Sequence, residues 1–149
     1  MSSHESESIR LTRMLTGSPQ GVFEAWTNAA RLQQWLAPKA QVDAREGGNF
    51  RFEVPKAEGA HVVTGKFQEF KTNERLVMTW VYDGPMGTEG DMEALLKVEL
   101  RKHGSDTEVT LQHDKLTNPA YRETIAKGAW TAALDRLETL LAGSGRKIA

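Results

Sequence analysis

Apolar and polar residues alternate with a period of two in five segments between residues 50 and 113. In residues 91–101 one side holds Met92, Ala94, Leu96, Val98 and Leu100, and the residues between them are mostly charged. Successive side chains of a strand point to opposite faces, so this pattern predicts strands that are apolar on one face. Because that face must be covered by another element, the alternation restricts the fold more than any other feature.

The last part of the chain supplies an element long enough to cover this face. Pro119 can begin a helix, and the glycine at position 143 is predicted to end it. Its apolar residues recur every three or four positions and form a broad stripe. They are Ile125, Ala126, Ala129, Trp130, Ala133, Leu134, Leu137 and Leu141. The pattern therefore predicts one long amphipathic helix, with Gly128 as an unusual residue inside it.

One strand and two short helices are predicted near the N-terminus. Residues 9–15 alternate, Ser18 is a favoured N-cap, and Pro19 suits the first helical position. Asn28 can cap a second helix that Pro38 stops. The whole order predicts an α+β fold in which a curved antiparallel sheet wraps around the C-terminal helix. We expect a flexible tail over residues 1–8, a single domain over 9–142, and a second tail over 143–149.

Composition excludes several classes of function. The 149 residues carry a formal net charge of −1 without a block of like charges, which argues against nucleic-acid binding. The chain has no cysteine, and its histidines lack metal-ligand spacing, so we expect no disulfide, no metal and no cofactor. No run reaches the roughly 18 apolar residues of a membrane span. The polar N-terminal residues have no signal-peptide core, so a cytoplasmic location is expected.

Five segments in order carry a family resemblance: residues 22–38 (VFEAWTNAARLQQWLAP), 47–52 (GGNFRF), 65–80 (GKFQEFKTNERLVMTW), 109–116 (VTLQHDKL) and 128–141 (GAWTAALDRLETLL). The chain resembles the START-like (SRPBCC) helix-grip superfamily, in the AHSA1-like group related to the C-terminal domain of the activator of Hsp90 ATPase. The resemblance implies a START/Bet v1-like fold with a cavity between sheet and helix. Relatives include lipid and hormone binders, polyketide cyclases and aromatases, and an Hsp90 co-chaperone domain.

The inward-facing apolar residues are the candidates for a ligand site. A packed core is the simpler interpretation, and a pocket for a lipid-like, aromatic or polyketide-like ligand is the functional one. Gly128 favours the pocket slightly. A missing side chain on a buried helix face permits either close contact between sheet and helix or open volume. The candidate ligand-binding set is Trp35, Phe50, Phe52, Phe67, Met78, Trp80, Leu96, Val98, His113, Gly128 and Trp130.

His113 is the one candidate for catalysis. If the alternation of its strand continues, its ring points inward, where it could orient a ligand or act as a general acid or base. The simpler interpretation is a structural histidine bonded to a backbone carbonyl or a helix end. A cyclase or hydratase would need further polar groups, for which Tyr82, Thr79 and an inward-turned Glu69 are candidates. No catalytic constellation is evident, which favours a binding protein over an enzyme.

Two further hypotheses concern partners and a lid. Leu95 and Val81, which are apolar on otherwise polar faces, could belong to a protein-interaction surface for an Hsp90-type chaperone or to a homodimer interface. The glycine-rich loop over residues 83–91, with Met86 expected to be exposed, is either a lid over the cavity or an ordinary long hairpin.

Overall fold

The computed structural model describes residues 8–88, 94–116 and 118–145, and it contains one antiparallel sheet. The strands are β1 (Ile9–Leu15), β2 (Lys39–Val42), β3 (Asn49–Val54), β4 (His61–Lys71), β5 (Arg75–Gly84), β6 (Gly87–Thr88), β7 (Ala94–His103) and β8 (Asp106–Asp114). Their order in the sheet is β1-β8-β7-β5-β4-β3-β2, and the short β6 pairs with β5. The sequence pattern did not predict β2, whose four residues are too few for a clear alternation.

Two short helices follow β1, as the capping residues predicted. They are α1 (Pro19–Thr27) and α2 (Ala29–Trp35). The Ser18 hydroxyl accepts a hydrogen bond from the Gly21 amide at 3.3 Å, and the Asn28 side chain accepts one from the Arg31 amide at 3.0 Å. Each cap satisfies an amide that the helix itself leaves unpaired, which fixes where the helix begins.

The C-terminal helix is not continuous, which corrects the prediction of one long helix. It consists of α3 (Pro119–Thr124), a π-helical segment (Ile125–Ala129) and α4 (Trp130–Gly145). Gly128 has φ 117° and ψ 16°, a left-handed conformation that breaks the helical path. The predicted C-terminal boundary at Gly143 is also wrong, because α4 continues to Gly145.

The inner face of the sheet is apolar along its length, and the helices α1, α2 and α4 bury residues against it. On β7 and β8 the inward residues are Ala94, Leu96, Val98, Val109 and Leu111, all fully buried. Gly65 on β4 lies so close to β5 that an added Cβ atom would overlap the Thr79 carbonyl oxygen, so only glycine fits there. The predicted α+β helix-grip fold, a curved antiparallel sheet around a C-terminal helix with two short helices after β1, is confirmed.

Glu69 does not turn inward, as it would if the alternation of β4 continued to the end of the strand. A β-bulge between Phe67 and Glu69 shifts the pairing of β4 with β5 and interrupts the alternation. Glu69 lies near the surface, where its carboxylate is 3.1 Å from the Arg75 guanidinium and 3.6 Å from the Lys71 ammonium. Arg75 also pairs with Glu99, so this end of the sheet is a surface ion-pair network.

Candidate functional site

The candidate ligand-binding residues come together in the interior. All of them are buried except Gly128, which is half-buried. They belong to α2, the sheet, the π-helical segment and α4, and the rings of the sheet residues and Trp130 touch one another in a continuous layer. Ring centroids are 4.8 Å apart for Phe50 and Phe52, 5.6 Å for Phe50 and Phe67, and 5.6 Å for Trp80 and Trp130. At these distances the rings are in contact, so a ligand among them would displace some of these side chains.

Five residues at one end of this layer form what we call the His113 cluster: Trp26, Trp80, His113, Tyr121 and Trp130. The His113 ring is fully buried, with its centroid 5.4 Å from that of Trp80, 6.1 Å from that of Trp130 and 6.5 Å from that of Tyr121. The Trp26 ring lies 5.8 Å from that of Trp130. The inward direction predicted for His113 is therefore confirmed.

Hydrogen bonding fixes the state of His113. The Trp130 indole N–H donates to the His113 Nδ1 atom at 3.0 Å, so Nδ1 carries no proton. Burial lowers the pKa of His113 from 6.5 to about 3, and the ring is neutral near pH 7. A neutral ring with a bare Nδ1 carries its proton on Nε2. That Nε2–H group is buried and has no hydrogen-bond partner among the described residues.

Trp26 presents a second buried donor of this kind. Its indole Nε1–H has no hydrogen-bond partner among residues 8–88, 94–116 and 118–145. The neighbouring indoles are different: Trp35 donates to the Ala25 carbonyl oxygen at 2.9 Å, and Trp80 donates to the Tyr121 hydroxyl at 2.8 Å. Buried N–H groups are nearly always paired, so two orphan donors in one cluster require an explanation.

Helix α3 closes the cluster from the side of the β5–β6 hairpin. The Tyr121 ring stacks on that of Tyr82 with centroids 4.1 Å apart. The Asn118 side-chain amide donates to the Met86 carbonyl oxygen at 2.9 Å, and the Thr124 hydroxyl lies 3.2 Å from the Met86 sulfur. Met86, predicted to be exposed, is half-buried because these contacts hold it against α3.

The lid hypothesis concerns residues 83–91, of which 89–91 lie outside the described residues. Residues 85 and 86 form the turn between β5 and β6, so the described part is a tight hairpin. The lid itself stays a prediction.

The groups proposed as catalytic partners do not converge on His113. The Tyr82 hydroxyl lies 2.8 Å from the His61 Nδ1 atom and accepts from the Met86 amide at 3.3 Å. The Thr79 hydroxyl accepts from the Lys66 amide at 2.9 Å, and Glu69 is near the surface. Burial raises the pKa of Tyr82, which keeps its hydroxyl protonated near pH 7. Each of these groups is already engaged elsewhere.

The outer face of the sheet differs in character from the interior. It carries an open groove of about 710 Å³ whose lining includes Lys71, Arg75 and Glu99. Leu95 and Val81 are half-buried, and Met14 is the only exposed large hydrophobic residue that the structure describes. The interaction surface predicted from Leu95 and Val81 therefore stays a prediction.

No three His, Asp or Glu side chains in the described ranges lie close enough together to hold a metal ion. No helix in the described part of the chain is long and apolar enough to cross a membrane.

Two members of the His113 cluster, Trp26 and Tyr121, were not predicted as site residues. Trp26 lies at helical spacing after Val22 and Phe23, which predicts burial but says nothing of its hydrogen bond. Tyr121 lies two residues after the helix-starting Pro119, and only the position of α3 brings it onto Tyr82. The sequence alone holds no signal for either contact.

Several solved structures share this fold. Protein CV1439 of Chromobacterium violaceum is 24% identical, with a TM-score of 0.76 over 91% of this chain and 97% of that one. Protein NE0264 of Nitrosomonas europaea is 22% identical, with a TM-score of 0.75 over 97% and 99%. DynU16, a protein in the dynemicin biosynthetic locus, is 18% identical, with a TM-score of 0.75 over 93% of this chain and 48% of that one.

Sequence comparison identifies the family. No curated protein matches the sequence. The sequence profile of the Activator of Hsp90 ATPase homolog 1-like protein family matches residues 16–142, which include every member of the His113 cluster. The chain therefore belongs to the Activator of Hsp90 ATPase homolog 1-like protein family, within the helix-grip superfamily.

Proposed function

We propose that this protein binds a hydrophobic small molecule between the sheet and the C-terminal helix, at the His113 cluster. One observation carries the proposal: His113 is fully buried and neutral, with an Nε2–H donor that no described residue accepts. An unpaired buried donor costs roughly 1–3 kcal/mol, which a bound ligand with a hydrogen-bond acceptor would recover. The presence of DynU16 in a biosynthetic locus supports a small organic ligand for this fold.

The proposed path into the site lies under α3. This helix has six residues, and its contacts with the β5–β6 hairpin include two contacts to Met86, the Tyr82–Tyr121 stack and the hydrogen bond from the Trp80 indole to the Tyr121 hydroxyl. Gly128 lies between α3 and α4, and a Cβ atom placed on it would meet nothing within 4 Å. A left-handed glycine at a helix break is a suitable hinge. Displacement of α3 would carry Tyr121 away from His113 and Trp80 and make room among the rings.

Catalysis by His113 is the second candidate, and the environment of the ring weighs against it. Burial lowers the pKa of His113 to about 3, which makes the ring a poor base near pH 7. The rings around it are those of Trp80, Trp130 and Tyr121, and the Tyr121 hydroxyl already accepts from the Trp80 indole. Asp114, the next residue of β8, raises the pKa of His113 less than burial lowers it, and its carboxylate pairs with Lys97. A binding role uses the neutral ring as it stands.

Binding to an Hsp90-type chaperone is supported by the family name alone. A homodimer also stays a prediction. Leu95 and Val81 are half-buried, so neither provides the exposed apolar anchor that such interfaces use.

A chemical-shift screen of the ¹⁵N-labelled protein tests the proposal. Lipids, flavonoids and polyketide-like aromatic compounds are added in turn, after native mass spectrometry of the purified protein for co-purifying molecules. Saturable shifts at His113, Trp26 and Tyr121 support the proposal. Shifts confined to the outer groove, or none with any compound, contradict it.

A matched pair of variants locates the site. Leu96 pairs with His113 in the sheet and is fully buried, so Leu96→Phe fills space beside the imidazole. Leu15→Phe is the matched control, because Leu15 is as deeply buried but pairs with Thr107 at the far end of β8. Both changes add similar bulk to the core and cost roughly 1–3 kcal/mol of stability. Only Leu96→Phe is expected to weaken ligand binding, and equal weakening by both would contradict the location.

A further inference from the structure

The polar groups of the His113 cluster that lack partners are both hydrogen-bond donors. His113 offers Nε2–H, because its Nδ1 atom is occupied by the Trp130 indole at 3.0 Å. Trp26 offers Nε1–H, and an indole nitrogen can only donate. Both rings contact the Trp130 ring, so the two donors lie in the same cluster.

The surroundings of these donors restrict the charge of a ligand. The buried polar or charged residues in the described ranges are Thr79, Thr107 and His113. None of them is charged near pH 7, since burial keeps the imidazole neutral. An anion or a cation in this interior would lie without a counter-charge, which is strongly unfavourable in an apolar medium.

The surroundings also disfavour ligands that donate hydrogen bonds. Within the cluster the Tyr121 hydroxyl already accepts from the Trp80 indole at 2.8 Å, and the buried Thr79 hydroxyl accepts from the Lys66 amide. The His113 Nδ1 atom is already an acceptor for Trp130. A ligand hydroxyl would therefore lose its own hydrogen bond to water when it enters.

We infer that the ligand is an uncharged, largely apolar molecule whose carbonyl or ether oxygen accepts hydrogen bonds from His113 Nε2–H and Trp26 Nε1–H. This inference rests on the proposed function, since it names the ligand class of the same site. Pure hydrocarbons, carboxylic acids and amines are the classes that it excludes as preferred ligands. The aromatic walls formed by Trp80, Trp130 and Tyr121 favour a flat molecule.

Three compounds of one shape test the ligand class: 1-tetralone, tetralin and the anion 1,2,3,4-tetrahydro-1-naphthoate. Each is titrated into ¹⁵N-labelled protein at pH 7 while the amide and indole resonances are followed. The ketone is expected to bind at least about fivefold more tightly than the hydrocarbon, the effect of roughly one recovered hydrogen bond. The anion is expected to bind more weakly than either.

Two variants show whether the preference comes from the named donors. Trp26→Phe removes the indole N–H and is expected to reduce the preference for the ketone by at least about half. Thr107→Val removes a hydrogen bond that is equally buried on the same strand as His113, so it controls for general loosening of the core. The control should keep the wild-type preference. If Trp26→Phe does not fold, the indole N–H resonance of Trp26 in the wild-type protein tests the role of this donor. Of the three compounds, the ketone should be the one that moves this resonance downfield.

The outcomes separate the inference from the proposed function. Equal affinity for 1-tetralone and tetralin, with shifts in the His113 cluster, would leave the binding site standing and overturn the acceptor class. Tighter binding of the anion would overturn the uncharged class. No shift in the cluster with any of the three compounds would overturn both the inferred ligand class and the proposal that this cluster binds ligands of this size.

Discussion

Two neighbouring parts of the interior are built from the same side chains and differ in their hydrogen bonds. Around Trp35 the polar groups are paired: its indole donates to the Ala25 carbonyl, and the Arg136 guanidinium donates to the Trp35 carbonyl at 2.9 Å. The Trp35 ring lies beside the Trp26 ring of the His113 cluster, with centroids 4.9 Å apart. In that cluster two N–H donors have no hydrogen-bond partner among the described residues. The hydrogen bonds around Trp35 stabilise the fold, whereas each unpaired donor of the His113 cluster lowers the free energy of unfolding by an amount that a bound ligand can restore.

The largest effect that separates the two parts is expected from pH. The pKa of His113 is lowered from 6.5 to about 3, so the unfolded chain takes up the proton more readily than the folded one. Stability from this residue is fully present above about pH 6.5 and is lost as the pH falls toward 3. The loss at pH 4 is about 3 kcal/mol by linkage. Urea unfolding at pH 7 and pH 4 measures it.

The control for this prediction is His113→Asn, whose side-chain oxygen can replace Nδ1 as acceptor for Trp130. The variant should lose less stability than the wild type between pH 7 and pH 4, because it lacks the titrating ring. An identical loss in both proteins would show that the imidazole is not held neutral by burial.

The two tryptophans provide the next largest effect. Trp35→Phe removes a hydrogen bond and leaves the Ala25 carbonyl unpaired, whereas Trp26→Phe removes a donor that has no described partner. Both variants remove a similar buried volume. Trp35→Phe should therefore cost about 1–3 kcal/mol more in the free energy of unfolding. Equal losses in denaturant titrations would contradict the difference between the two regions.

Much of the difference in hydrogen bonding between these two regions could not be predicted from the sequence. The alternation predicted the inner face, and the capping residues Ser18 and Asn28 predicted where the first two helices begin. Period-two patterns report which face a side chain occupies, but not which atom it bonds. The hydrogen bond between Trp130 and His113 joins residues 17 positions apart, and that between Trp80 and Tyr121 spans 41. Such contacts depend on the packing of the whole domain.

Gly128 illustrates the same limit. A glycine inside an apolar stripe predicted either close packing or open volume, and both interpretations assumed a regular helix. Its φ of 117° shows that the backbone itself requires glycine, because other residues rarely adopt that conformation. The sequence pattern could not report this, since the residues on both sides are good helix formers.

The stability of the fold should decrease when any side chain is placed at position 128. Gly128→Ala is expected to destabilise the fold by about 1–2 kcal/mol through strain at positive φ, although the added methyl group meets nothing within 4 Å. Gly143→Ala is the matched control, because Gly143 is exposed in α4 and also has free space around it. That change should raise stability by roughly 0.5 kcal/mol. Thermal unfolding of both variants gives the comparison, and a neutral Gly128→Ala would remove the strain argument.

The contact between α3 and the hairpin should give the smallest effect. Asn118→Ala loses both the cap on the Ala120 and Tyr121 amides and the bond to the Met86 carbonyl, and should cost about 1 kcal/mol. Asn118→Asp keeps the cap and replaces the donor to the Met86 carbonyl by an oxygen that cannot donate, so this bond is lost. It should leave stability nearly unchanged but speed amide exchange at Met86 and Tyr121. Exchange as slow as in the wild type would show that this bond does not hold α3 in place.

The indole N–H spectrum tests the central claim most directly, because the chain has four tryptophans and three of them have described acceptors. In the free protein the account predicts that the Trp26 Nε1–H resonance lies upfield of those of Trp35, Trp80 and Trp130. Addition of 1-tetralone should then move the Trp26 resonance downfield and leave that of Trp35 in place. A Trp26 resonance already as far downfield as the others, and unchanged by the ketone, would contradict the account.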